Sequence, residues 1–194
     1  MIHPTIVIIR NEHGALSSVL RSFGLLLAEH RSRGTLPDFS LLRAMLLYID
    51  EFPERLHHPK ESDLLFPKLR ARSSEAAAVL DRLDHDHAQG ETAIRELAHK
   101  LLSFEVLGEV RREAFEKALE RYVDFYLKHM AIEERDILPL AQRLLTADDW
   151  RDLDAAFADN RDPLTGHEPE EMYRDLFSKI VNALPSPIGL GPAY

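Results

Sequence analysis

The chain has 194 residues, no cysteine and a formal net charge of −9, with 45% hydrophobic and 29% charged residues. That length suits one core or one core with an appendage, and the lack of cysteine leaves His, Asp and Glu as the only strong metal donors. The acidic balance argues against a phosphate-binding nucleic-acid face, no apolar run approaches the roughly eighteen residues of a membrane span, and Met1-Ile2-His3-Pro4 lacks a signal-peptide pattern, so the expectation is a soluble cytoplasmic protein.

Apolar residues recur at helical spacing in four long stretches, and strand-like alternation is not sustained anywhere. In the first stretch Ile6, Ile9, His13, Leu16, Leu20, Phe23 and Leu27 form one stripe. A second helix starts near Asp38 or Ser40 and carries Leu42, Met45, Leu46, Ile49 and Phe52. Pro53 and Pro59 then predict a kink around His57. After Ser73-Ser74, a pair suited to an N-cap, a third helix carries Leu80, Leu83, His87, Ile94, Leu97 and Leu101. The fourth, about 108–145, runs through Phe115, Leu119, Tyr122, Tyr126, His129 and Glu133, with Pro139 bending its last turns. A capped start at Thr146-Ala147-Asp148-Asp149, a last helix over about 168–183 and a Pro/Gly tail complete the chain. The reading is all-α: a bundle over 1–145, and a helical extension over 146–194 packed on it.

The motif of the chain is a phrase used twice. His57 is followed by Glu61 and Pro67, and His129 by Glu133 and Pro139, with the same four- and ten-residue offsets. Residues four apart share a helix face, with Cβ atoms about 5–6 Å apart, so imidazole and carboxylate reach one point. That donor pair suits iron, manganese or zinc. Random placement of His and Glu would yield about one HxxxE pair; this chain has His57/Glu61, His87/Glu91, His129/Glu133 and His167/Glu171. The last lies outside any apolar stripe and is set aside. A lone His on an apolar face is ordinarily a hydrogen-bonded core residue. Four inward histidines, His13, His57, His87 and His129, with Glu61, Glu91 and Glu133 differ, because burying each ionisable group costs several kcal/mol unless compensated. A metal pair compensates all of them together. The spacings of 44 residues from His13 to His57 and 42 from His87 to His129 indicate a helical hairpin used twice, with Ser17 where the second copy has Glu91. His85 is expected to face outward and His58 to lie about 100° from His57 unless the Pro59 kink swings it nearer. Glu134 is the alternative carboxylate, Glu12 is expected at the surface, and Tyr122 or Tyr126 could hydrogen-bond a ligand.

The pattern His13, His57-x3-Glu61, His87, His129-x3-Glu133, within His57-His58-Pro59-Lys60-Glu61 and His129-Met130-Ala131-Ile132-Glu133-Glu134, resembles the hemerythrin-like proteins with an HHE cation-binding domain over about residues 3–145. The resemblance implies an up-down-up-down four-helix bundle around two non-haem iron ions, with His13 and His57 on one, His87 and His129 on the other, and Glu61 and Glu133 bridging. It also implies a small-molecule ligand: O2, peroxide or nitric oxide. Oxygen-carrying members have a further His where this chain has Glu91, and an Asp where it has Glu134. The carboxylates favour the ferric state and disfavour reversible oxygen carriage. The leading expectation is a di-iron protein reacting with a small oxidant, with catalase-like or peroxidase-like turnover implied by the resemblance; an oxygen or iron sensor without turnover is the alternative.

Overall fold

A computed structural model describes residues 2–184; the Pro/Gly tail expected after the last helix lies outside them. The chain is all-α, and the four long arms form an up-down-up-down bundle. Helix α1 (Pro4–Arg33) opens on a proline, whose missing N–H costs nothing in a first turn. It closes on Gly34, whose φ of 65° lets its N–H and that of Thr35 bond the last carbonyls. Asp38 caps α2 (Phe39–Ile49) through the N–H groups of Ser40 and Leu41. The second arm continues through α3 (His58–Lys60) to α4 (Phe66–Arg72). The third arm is α5 (Ala77–Leu107); Ser73 does not cap it, but accepts from the Glu75 N–H in the preceding turn. The fourth joins α6 (Arg112–Ile132) to α7 (Leu138–Leu144). Arms in sequence pack side by side, and α1 closes the ring against α6.

The second and fourth arms are not uniform α-helix. Asp50–His57, Glu61–Leu65 and Glu133–Ile137 are π-helical, and each segment ends two residues before a proline: Pro59, Pro67 and Pro139. Proline removes an N–H and crowds the carbonyl four residues back. A wider turn relieves both, as when the His58 N–H reaches the Pro53 carbonyl. The expected kink is thus a swollen turn.

Thr146 and Asp149 form a reciprocal capping box at α8 (Ala147–Phe157). A short 3-10 turn, Glu171–Tyr173, precedes α9 (Arg174–Ala183), which starts later than its sequence suggests. Among the described residues no helix is long and apolar enough to cross a membrane.

Two apolar cores fill the bundle. One gathers Leu20, Phe23, Met45, Tyr48, Leu101, Phe104, Phe115 and Phe177, and the other Ile6, Phe66, Leu80, Leu138, Trp150 and Phe157. Every arm changes core at its histidine: Ile9 and Leu16 flank His13, Ile49 and Leu65 flank His57, Leu83 and Ile94 flank His87, and Tyr126 and Ile137 flank His129. The result is a buried polar layer between two apolar ones.

Glycines separate helix propensity from packing. A Cβ on Gly24 would meet nothing within 4 Å, whereas one on Gly90 would fall 1.8 Å from the Tyr126 hydroxyl and 3.0 Å from Glu54 Oε1. Gly24→Ala is expected to stabilise the metal-free protein by about 0.5–1 kcal/mol, and Gly90→Ala to destabilise it by about 1–3 kcal/mol. Denaturant unfolding checks both; equal effects would contradict the close packing at Gly90.

Candidate metal centre

The polar layer brings His13, His57, His58, His87 and His129 together with Glu61 and Glu133, all buried. Donor atoms of His13, His57 and Glu61 lie within 4.8 Å of one another, as do those of His58, His87 and His129, and those of Glu61, His87 and Glu133 link the two groups. Glu133 spans them: its Oε2 is 3.3 Å from His13 Nε2, and its Oε1 is 3.2 Å from His129 Nε2 and 3.6 Å from His87 Nε2. Glu61 Oε2 is 3.2 Å from His57 Nε2 and 3.6 Å from His87 Nε2.

Each imidazole is held from behind through Nδ1. His57 donates to Glu12 at 2.7 Å, His13 to Glu134 at 3.0 Å and His58 to Glu54 at 3.2 Å; His87 pairs with the Ser62 hydroxyl at 2.8 Å, and His129 faces Asp86 at 3.5 Å. A proton on Nδ1 leaves Nε2 as a lone pair directed into the layer. The Nε2 atoms of His87 and His129 stand 3.0 Å apart. His57 Nε2 and both oxygens of Glu61 and of Glu133 are buried with no hydrogen-bond partner among the described residues, although imidazoles approach the carboxylates closely. Converging lone pairs and orphaned carboxylate oxygens are costly in a low-dielectric interior. They are the donors a pair of cations requires, so the residues fit a dinuclear metal site.

The outer contacts repeat with the hairpin. The acid before each hairpin's first His, Glu12 or Asp86, serves the second His, His57 or His129. The residue after each central Glu, Ser62 or Glu134, serves the first His of the other hairpin. Two positions break the symmetry. His58 corresponds to Met130, which packs in the apolar core with the Ser17 hydroxyl 3.9 Å from its sulfur. Glu54 corresponds to Tyr126, and the two are bonded: Tyr126, Tyr122 at 3.1 Å and His58 all donate to Glu54, while the Tyr126 ring stacks on His58 at 5.6 Å. One side of the centre therefore has three histidines, and the other has His13 and His57 with no counterpart to His58.

Two expectations, for Glu91 and Glu12, are corrected, and of the two placements left open for His58 the inward one is observed. Glu91 is not in the layer: its side chain is 57% exposed and pairs with Arg95. On the straight helix α5 the inward position beyond His87 is Gly90, and the space there is occupied by the Tyr126 hydroxyl and Glu54. His58 joins the layer instead, because the swollen turn before Pro59 lets adjacent residues face the same interior. Glu12, expected at the surface, is buried against His57. Sequence reasoning also missed Glu54, although it stands four residues before His58, and Asp86, although it repeats the Glu12-His13 dipeptide as Asp86-His87. His85 and His167 are exposed, as expected, and Glu134 sits behind His13.

Electrostatics follow the contacts. Burial opposes protonation of His13, but the Glu133 and Glu134 carboxylates outweigh it and raise the imidazole to about 9. Burial and the neighbouring imidazoles hold His58 well below its ordinary value. Against its own burial, Glu133 is held well below the carboxylate range by His129, His13 and His87. Burial and Glu54 keep the Tyr122 and Tyr126 phenols protonated.

A cleft lined by Leu16, Phe52, Leu56 and Asn160 reaches His13 and His57; its free volume of about 10 Å³ admits one water-sized molecule. It opens on the side that lacks a third histidine.

No curated protein matches the chain in sequence. The family model of the hemerythrin HHE cation-binding domain matches residues 5–141, a span that contains all the histidines and glutamates of the polar layer. The chain belongs to the hemerythrin family, as an HHE cation-binding domain.

Proposed function

We propose that the layer binds two iron ions and that the protein uses them to bind or reduce a small oxidant such as O2, peroxide or nitric oxide. The observation that carries this reading is the convergence of five Nδ1-anchored imidazoles and two orphaned carboxylates between apolar cores. His13, His57 and Glu61 would hold one ion, His58, His87 and His129 the other, and Glu133 would span both. When bound, the metal pair supplies redox electrons and Lewis acidity. The chain does the rest. Glu12, Glu54, Asp86, Ser62 and Glu134 fix the imidazole tautomers. The cleft, with room for one water-sized molecule, leads to the His13 and His57 side. The phenol protons of Tyr122 and Tyr126 stay hydrogen-bonded to Glu54 behind His58. Manganese or zinc is compatible with the same donors, and a sensor would share this site without turnover.

Anaerobic reconstitution with ferrous ion followed by elemental analysis is expected to give about two iron atoms per chain. His58→Ala should lose about one of them and Glu133→Ala more, whereas Glu91→Ala should match the wild type; full loading of His58→Ala would remove His58 from the ligand set. Ligation requires neutral imidazole, and His13, at about 9 without metal, is protonated at neutral pH. Metal uptake must then release protons and weaken as pH falls. Calorimetric titrations at pH 7 in two buffers of different ionisation enthalpy should give different heats; identical heats would contradict ligation by His13. Stopped-flow mixing of the reduced, loaded protein with peroxide separates an oxidant-consuming protein from a sensor: no consumption, with metal-dependent protease resistance, would favour the sensor.

A further inference from the structure

The family match stops at residue 141, and part of the chain beyond that residue returns to the polar layer. Helix α8 joins one core through Trp150, Leu153 and Phe157, and α9 joins the other through Phe177 and Ile180. The connection between them is 158–173, and because Leu164 already packs in the second core, segment 158–165 has to cross the layer. It does so beside His57, and although it is largely irregular, Asn160 and Asp162 are only 4% and 3% exposed. Between them Arg161 adopts φ 45°, a conformation few non-glycine residues accept, and stays at the surface.

The buried side chains connect to the centre. Asn160 Nδ2 donates at 2.9 Å to Glu12 Oε2, the same oxygen that accepts His57 Nδ1 at 2.7 Å. The Asn160 side-chain carbonyl accepts from the Lys60 ammonium, which also donates to the Ala156 carbonyl at 2.7 Å. Asp162 accepts from the Tyr48 hydroxyl at 2.7 Å, and Asn160 and Asp162 both line the cleft that reaches His13 and His57. Among the described residues the other half of the pseudo-symmetric centre lacks this arrangement: Asp86, the counterpart of Glu12, faces exposed Arg82 at 3.7 Å. The added contact falls on the side without a third histidine.

We infer that the C-terminal extension completes the metal centre, with Asn160 as a positioning residue that fixes Glu12, so that Glu12 orients His57 for the ion held with His13 and Glu61. The inference rests on the proposed metal site. An outer contact that orients a ligating imidazole is commonly worth 10–100-fold in metal affinity. By linkage, whatever Asn160 adds to metal binding, metal binding returns to the docking of segment 158–165.

Full-length wild type, Asn160→Ala, Glu12→Gln and the double variant are titrated with ferrous ion against a chromophoric chelator, and each is melted with and without metal. Asn160→Ala is expected to weaken one of the two ions, the one held by His13, His57 and Glu61, about tenfold and to shrink the metal-induced rise in Tm. The double variant should bind no more weakly than Glu12→Gln alone, because Asn160 acts through Glu12. Asn160→Asp keeps the size and the acceptor for Lys60 but sets a carboxylate against Glu12; it must weaken binding at least as much, and it serves if the alanine variant does not fold. Unchanged affinity with an equal fall in Tm in both metal states, or additive losses in the double variant, would overturn the inference and leave the metal site standing. A wild-type protein that takes up no metal would overturn both.

Discussion

The fold depends on one constraint: ionisable side chains stacked in a plane between two apolar cores. An unpaired ionisable group in such a place costs several kcal/mol, and a domain's whole margin of stability is about 5–15 kcal/mol. Carboxylates behind the imidazoles engage outward nitrogens but leave His57 Nε2 and both oxygens of Glu61 and of Glu133 without a hydrogen-bond partner among the described residues. Cations resolve this for every group at once, because a metal ion takes imidazole lone pairs and carboxylate oxygens alike, whereas a proton on one imidazole, as on His13, satisfies only its own contacts. Metal binding and the integrity of the layer are therefore one equilibrium.

The prolines shape this layer as much as the histidines do. Glu61 and Glu133 are each the first residue of a π-helical segment that ends two residues before Pro67 or Pro139. The repeated phrase thus contains a local instruction: a carboxylate, then a turn widened by the proline beyond it. Where the same device precedes Pro59, it turns His57 and His58 together into the interior. The third arm, α5, has no proline and stays regular, and its Glu91 remains in solvent.

Pseudo-symmetry organises the outer contacts, and its breaks create two unlike halves. His58 with Glu54 and the two tyrosines makes one half rich in nitrogen and tightly packed. Met130 at the equivalent place leaves the other half to His13, His57 and a narrow cleft, and there the loop from the C-terminal extension adds Asn160 and Asp162. The cleft and the extension thus meet the same half of the centre.

The sequence by itself determined the helical class, the four arms and the positions of His13, His57, Glu61, His87, His129 and Glu133 in the layer, because helical periodicity and four-residue spacing are local properties that survive in a one-dimensional pattern. Only the tertiary structure decided that His58 faces inward while Glu91 does not, since the first depends on a swollen turn and the second on space already filled by Tyr126. Burial of Glu12 and Asp86 was equally hidden: each meets its imidazole from another helix, and no spacing along one helix reveals that partner. The place of Asn160 was least legible of all, because a loop's path is set by where α8 and α9 find their apolar partners, a long-range property of the packed bundle.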